Sequence, residues 1–497
     1  MTLRSAGSGL LARDLRAPGE VALEGLKNLN APSLTRHAAQ TQIWVGMIAL
    51  VVISIQYLLL DVGTASVALE IVIILVICVG SLALNSPTGV WAPAPIFLIV
   101  LGVFHLGLAP YWVLGIDPNL PRSADYIWFS GPLGVKSLLL CGLAIVAYTL
   151  GVAVSTLHAN RPQSLSKFVD VEIETSRTSW FANLGAVILT AGLVVWAFIA
   201  YSAGGLGIFV GPYQEFLALT KGSLLPKTYM VLGFGLVLTV MAPIKGLRAF
   251  AVGAFLVFAF FAFFLGLRGE ILFPLAAAVS VVSLRRRLPP AWVVLIGGVA
   301  VLALVNAAKV IRQSGFAGLS GDGFSASPFV AIGELGQSIR VVATTLSWHE
   351  VLDEPFRYGA TYTVTIARAL EALFAPNLRL PASQDFRLMN SEVADRAGAI
   401  GGSAVAESYH NFGPIGVIVV FVLLGLVLGA FSKTYLSAWT IALYAAISVP
   451  LLNHVRNSFV PVVPAILAGA AAVAVIALIP IGLQLWKNRS RWYRRQK

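Results

Sequence analysis

Residues 414–431 read PIGVIVVFVLLGLVLGAF: one stretch without a charged side chain, closed on its far side by Lys433. A helix rises 1.5 Å per residue, so this run reaches about 27 Å, close to the thickness of a bilayer's hydrocarbon core. Such a run is read as a membrane-spanning helix. Working outward, similar apolar runs fall at 42–60, 66–84, 91–113, 131–155, 181–203, 228–244, 248–267, 270–284, 291–308, 436–452 and 461–486. The expected fold is an all-α integral membrane protein with about twelve transmembrane helices. The runs at 270–284 and 436–452 are short and admit a tilted or re-entrant path.

Composition points the same way. Hydrophobic residues make up 58% of the chain, charged residues 11%, and mean hydropathy is +0.85. Soluble domains carry about 25% charged residues, so this chain has too little polar surface for water. The net charge of +12 gathers at the ends of apolar runs, and no nucleic-acid-binding motif accompanies it. Cys78 and Cys141 both lie in predicted spans and read as small apolar residues. The first 40 residues are polar and basic, and the run after them is too long and too late for a cleaved signal peptide, so it reads as a retained first helix.

Orientation follows from Lys and Arg. With a cytoplasmic N-terminus, the cytoplasmic segments hold Arg4, Arg13, Arg16, Lys27, Arg36, Arg161, Lys167, Arg177, Lys245, Arg248, Arg285, Arg286, Arg287 and Lys433. The tail adds Lys487, Arg489, Arg491, Arg494, Arg495 and Lys497. An even helix count puts both basic termini on that side. The chain then divides into a cytoplasmic arm (1–41), nine spans (42–308), a long extracytoplasmic loop (309–413), three spans (414–486) and a basic cytoplasmic tail (487–497). Structureless loops as long as 309–413 are uncommon unless functional. A helix is expected from Pro328 to Trp348 and another over Thr361–Phe374, with Val364, Ala367, Leu370 and Phe374 on one face. Asp353-Glu354-Pro355 reads as the break between them.

Four places at the outer membrane surface carry polar groups. Arg268, in Gly266-Leu267-Arg268-Gly269-Glu270, could snorkel, pair with Glu270, or clamp a phosphate. Lys309 and Arg312 share a helix face at the end of the ninth span, as an interfacial anchor pair or phosphate contacts. Arg340 follows Glu334 and Gln337, close enough to pair locally. Ser403 can cap a short helix that Gly413-Pro414 would end. Glu407 and His410 then lie three apart on that helix, either as general-base candidates or as parts of a helix-end hydrogen-bond network. Asn453-His454-Val455-Arg456-Asn457 adds four polar residues between the last two spans. No metal-ligand spacing, phosphate-binding loop or Ser-His-Asp pattern is present. The cytoplasmic loops are short, so chemistry is expected on a substrate already delivered to the outer face.

With these residues in hand, the chain resembles the Wzy-type polymerases of oligosaccharide repeat units, which build O-antigens, capsules and exopolysaccharides. The likeness rests on Leu267-Arg268-Gly269-Glu270, on Gly333-Glu334-Leu335-Gly336 and on Tyr358-Gly359-Ala360-Thr361-Tyr362. Its most specific stretch runs from Ser403 to Gly416, with Ala406-Glu407-Ser408-Tyr409-His410-Asn411-Phe412-Gly413-Pro414 at its centre. It covers roughly residues 250–460; the first 200 residues match only as hydrophobic spans. The Tyr409-His410 pair departs from the more apolar character expected there.

The resemblance implies a GT-C-like membrane glycosyltransferase in the cytoplasmic membrane with its active site on the outer face. It would move a growing glycan from polyprenyl pyrophosphate onto a new lipid-linked repeat unit, with no metal, nucleotide or other cofactor. Arginines should stabilise the charge developing on the pyrophosphate, a base should take the acceptor hydroxyl's proton, and a carboxylate could steady the oxocarbenium-like centre. On this reading Arg268, Arg312 and Arg456, with Arg340 as a weaker candidate, contact pyrophosphate or glycan. Tyr409 contacts glycan, Glu407 is the preferred base and His410 its alternative. Expected partners are the lipid-linked glycan as donor and acceptor and membrane lipid, with a chain-length regulator and a flippase as protein partners to test; nucleic acid is not among them. An O-antigen ligase-like transferase is the nearest rival. A lipid-linked glycan transporter would call for charges deep in several spans, whereas their interiors are almost free of charge, with Glu70 the main exception.

Overall fold

The computed structural model describes residues 32–59, 62–115, 128–159, 171–205, 216, 219–220, 223–242, 244–265, 267–284, 286, 288–290, 292, 328–381, 384–398, 400–432 and 437–495. The described elements are helical: α1 (Pro32–Leu59), α2 (Thr64–Leu84), α3 (Pro93–Leu106), α4 (Ala109–Val113), α5 (Pro132–Ala159), α6 (Val171–Gly204), α7 (Leu225–Val240), α8 (Lys245–Phe264) and α9 (Gly269–Ser283). After them come α10 (Pro328–Leu335), α11 (Ser338–Glu350), α12 (Ala360–Phe374), α13 (Met389–Ala397), α14 (Ala404–Phe431), α15 (Ala438–His454) and α16 (Val462–Arg495). Six of the described helices are long and apolar enough to cross a membrane: those containing His37–Leu59, Thr64–Leu84, Pro132–His158, Arg177–Gly204, Lys245–Ala262 and Ala404–Phe431. Every predicted apolar run except 291–308 falls on helix. That run, Arg312 and the loop up to residue 327 lie outside the described residues, apart from Trp292.

The centre of the bundle is α5, which is apolar all round and buried along almost its whole length. A helix without a polar face is stable only when enclosed by other helices or lipid, and α1, α2 and α14 enclose this one. The contact between α5 and α14 is set by glycine. A Cβ on Gly151 would sit 2.2 Å from the carbonyl of Val422, and one on Gly425 would sit 2.1 Å from that of Tyr148. Only glycine at both positions lets the backbones approach this closely, as in other membrane helix pairs. The far face of α14 stays open, with Ile415, Val419, Leu423 and Val427 exposed at helical spacing. Those side chains suit lipid.

The run 91–113, expected as one span, is instead two pieces. At 14 residues, α3 reaches only about 21 Å and is buried rather than lipid-facing. The break follows from close packing: a Cβ on Gly107 would lie 2.2 Å from the carbonyl of Ile332 and 2.9 Å from the Cα of Gly336. The same contact divides the loop helix expected from Pro328 to Trp348, which ends at Leu335 and restarts at Ser338. The second piece, α11, buries Ile339, Val342, Leu346 and Trp348 against α5, α14 and α3. Part of the long loop is thus core, and it carries polar side chains to the end of α14.

Candidate functional site

The site is organised by the first turns of α14. Ser403 caps the helix, its hydroxyl accepting from the N–H of Ala406 at 3.2 Å, and it also meets His105 Nε2 at 2.7 Å. The helix is interrupted at Phe412 and Gly413 (φ 66°, ψ −158°), just before Pro414. That backbone region is open to glycine alone. Proline has no N–H, so the carbonyl of His410 loses its partner four residues on. A buried carbonyl must find another donor, and the N–H of Arg357 supplies it at 3.0 Å. Tyr358 N–H serves the carbonyl of Asn411 in the same way, also at 3.0 Å. The Arg357-Tyr358-Gly359 turn is therefore docked into the kink by backbone bonds.

Around this junction lies a buried polar chain. His349 Nδ1 is 2.7 Å from the carbonyl of Glu354, a pure acceptor, so that nitrogen carries the hydrogen. His349 Nε2 must then accept from His410 Nδ1, 2.9 Å away. At its other edge, His410 Nε2 is 3.1 Å from Glu392 Oε2 and 3.3 Å from Arg357 Nε. Arg357 Nη2 also donates to Glu392 Oε1 at 2.5 Å. Glu392 is almost wholly buried, whereas the Arg357 side chain is 38% exposed, so one charged edge of the cluster faces outward. Burial alone would raise the Glu392 carboxyl, but His410 and Arg357 outweigh it and hold it below the usual range. Burial lowers the imidazolium tendency of His349, with His410 adding to the effect. Arg396, over the Trp348 ring at 4.2 Å, donates to Glu392 at 3.2 Å and Glu354 at 2.9 Å.

Glu407 is fully buried. Its Oε2 accepts from the N–H of Phe459 at 2.6 Å, with His454 Nδ1 3.9 Å away. Tyr409 points elsewhere: its hydroxyl donates to Glu350 Oε1 at 3.2 Å, an oxygen that also accepts from Tyr57, while Lys136 pairs with Oε2 of the same carboxylate. Glu407 and His410 thus share a turn but serve two different networks.

Arg268 pairs with Glu334 at 2.7 Å, and the pair joins two of the stretches singled out in the sequence. Arg456 lies over the Phe104 ring at 5.7 Å, and its carbonyl accepts from Gly402 N–H at 2.9 Å. It also interacts electrostatically with Glu270, and Phe104 in turn meets Phe273 of α9 at 5.4 Å. These contacts bring the turn at 268–270, the end of α15 and the start of α14 to one region. Arg340 is half-buried on α11.

Sequence reading missed His349, Arg357 and Glu392. Each comes from a different loop segment, and only the Tyr358-Gly359 turn hinted that this part of the loop is fixed. Among the described residues, no group of three or more His, Cys, Asp and Glu side chains could hold a metal ion.

No curated protein and no solved structure matches the chain. The family model described as O-antigen polysaccharide polymerase Wzy matches residues 42–489, a stretch that takes in every helix at the site just described. The chain belongs to the O-antigen polysaccharide polymerase Wzy family.

Proposed function

We propose that this multi-pass membrane polymerase joins polyprenyl-pyrophosphate-linked repeat units on the outer face of the cytoplasmic membrane. In this reading it has about twelve spans in a GT-C-like arrangement, both termini are cytoplasmic, and no metal takes part. The growing glycan leaves its pyrophosphate for a sugar hydroxyl of the incoming unit. The carrying observation is the gathering of carboxylate, imidazole and guanidinium groups around one kinked turn where a span begins: Glu407, His410 and Arg357 with Glu392.

Arg268, Arg312, Arg340 and Arg456 are assigned to pyrophosphate or glycan, joined by Arg357, whose guanidinium is partly exposed. Fixed cationic donors aimed at a leaving pyrophosphate stabilise the charge that develops there. Tyr409 is assigned to glycan through its cluster with Glu350 and Tyr57. Glu407 is the base in the first reading, its carboxylate held by Phe459. A second reading makes His410 the base through Nε2, the nitrogen left to accept because Nδ1 serves His349, once the partly exposed Arg357 that now donates to it turns to substrate. The apolar groove between α1 and α2, lined by Ile48, Val52, Leu69 and Ile73 and bordered by Glu70, suits a polyprenyl chain.

The test is the surface glycan of cells lacking the protein. Single repeat units in the null strain, with long chains restored by the wild-type protein, support polymerisation. Full-length glycan retained on its lipid carrier would mean a ligase, and precursor held on the cytoplasmic face would mean a transporter.

A further inference from the structure

A loop helix that faces water spreads charges over its exposed face, and α12 does not. Both of its charged side chains are tied into ion pairs with the 385–387 segment, off the exposed apolar arc. Arg368 bonds the buried Asp385 at 2.5 Å, and Glu371 is engaged by Arg387 at 2.8 Å. Val364 and Thr361 are buried, and Thr365 donates to the carbonyl of Val460 at 3.2 Å. The opposite arc carries Ile366, Leu370, Leu373 and Phe374, the last 81% exposed, with no charge among them. The expected apolar face (Val364, Ala367, Leu370, Phe374) therefore does not seal the loop against the bundle; Leu370 and Phe374 turn away from it. Beyond the helix, Leu378 and Leu380 continue the exposed apolar surface, with the exposed Arg379 between them.

This surface is continuous with that of a membrane span. The Tyr362 ring stacks on Phe412 at 6.4 Å, and Phe412 heads the exposed apolar stripe of α14 that runs on through Ile415 and Val419. The α12 stripe thus begins at the depth where the span begins. We propose that α12 lies in the membrane plane, its stripe of Ile366, Leu370, Leu373 and Phe374 sunk among the acyl chains of the leaflet on the loop side, with Arg379 reaching the headgroups. Amphipathic helices bind bilayer surfaces in this manner, and long basic side chains snorkel from apolar surroundings to the phosphates. The inference does not depend on the reaction assigned to the site.

The test uses full-length protein with Cys78→Ala and Cys141→Ala, reconstituted in nanodiscs of phosphatidylethanolamine and phosphatidylglycerol. Nitroxide labels are placed singly at Leu370→Cys, Leu373→Cys and, as a water-facing control on α13, Asp395→Cys. Collisions with oxygen and with a water-soluble nickel chelate are then compared. Labels at 370 and 373 should show an oxygen-to-nickel ratio several-fold above that at 395. A ratio equal to that at 395 would overturn the proposal, as would shielding from both reagents with spin–spin broadening, which would mean a second copy covers the face. If Leu373→Cys does not fold, Phe374→Cys reads the same stripe.

Discussion

The N–H of Arg357 bonds the carbonyl of His410, and it can do so because Pro414 has no N–H to offer. A loop turn and a span are joined by a backbone bond that the kink at Phe412-Gly413 and the missing N–H of Pro414 together leave open. Pro414→Ala supplies a competing donor. We expect amide exchange at Arg357 and Tyr358 to accelerate, with a small change in Tm. Unchanged protection at both amides would show that the turn is held by its side chains instead.

Gly413 occupies a conformation closed to other residues, and a Cβ there would also come within 3.1 Å of the Phe356 ring. Gly413→Val should cost about 1–3 kcal/mol, read as a lowered Tm of the detergent-solubilised protein. A Tm equal to wild type would mean the kink relaxes without penalty.

Glu392 is the shared acceptor of Arg357 and Arg396 and lies 3.1 Å from His410 Nε2. Glu392→Gln keeps its shape and removes its charge. Hydrogen bonds to charged groups contribute about 1.5–3 kcal/mol, and the exposure of Arg357 places this loss at the lower end. A double-mutant cycle with Arg357→Gln should show coupling; strictly additive effects would mean the two side chains act apart.

Arg268 and Glu334 are each largely buried, so removing either partner takes from the other a buried charge pair. The exchanged pair Arg268→Glu with Glu334→Arg should recover the Tm lost in each single variant. Polymerisation should stay at least about a hundredfold down, the usual loss when a transition-state donor is removed. Recovery of both would reduce Arg268 to a structural role.

Asp385 is held at about 2 by the hydrogen bonds of Arg387, with Arg368 beside it. A carboxyl lowered on folding adds stability that is complete above its unfolded value of about 4 and is lost as the pH falls through about 2. Hydrogen exchange across residues 360–388, divided by its intrinsic rate at each pH, should rise between pH 4 and pH 2.5 in the wild type. It should be high and flat over that range in Asp385→Asn; a parallel rise in that variant would point to another group.

Local features could be read from sequence because their causes are local. The Ser403 cap and the interruption at Gly413-Pro414 both depend on residues a few positions apart. The helix positions followed apolar content alone. What sequence could not give was pairing across the chain. Pairing with Glu270, two residues away, was one of the local options for Arg268, which meets Glu334 across 66 positions. The run 91–113 looked continuous because nothing within it announces that Gly107 will press against Gly336. His349, Arg357 and Glu392 lie on three separate segments, and no spacing rule connects them. The outward turn of α12 was hidden for a related reason: its stripe was visible, but not which side would face the protein.

The reading of the first turns of α14 as the place where glycan is joined is open to direct test. The direct measurement is chain length in a reconstituted assay with purified protein and polyprenyl-pyrophosphate-linked repeat units, comparing wild type, Glu407→Gln and His410→Asn at matched Tm. Long products are expected from wild type and only unextended units from at least one of the two variants. Full-length product from both folded variants would contradict that reading.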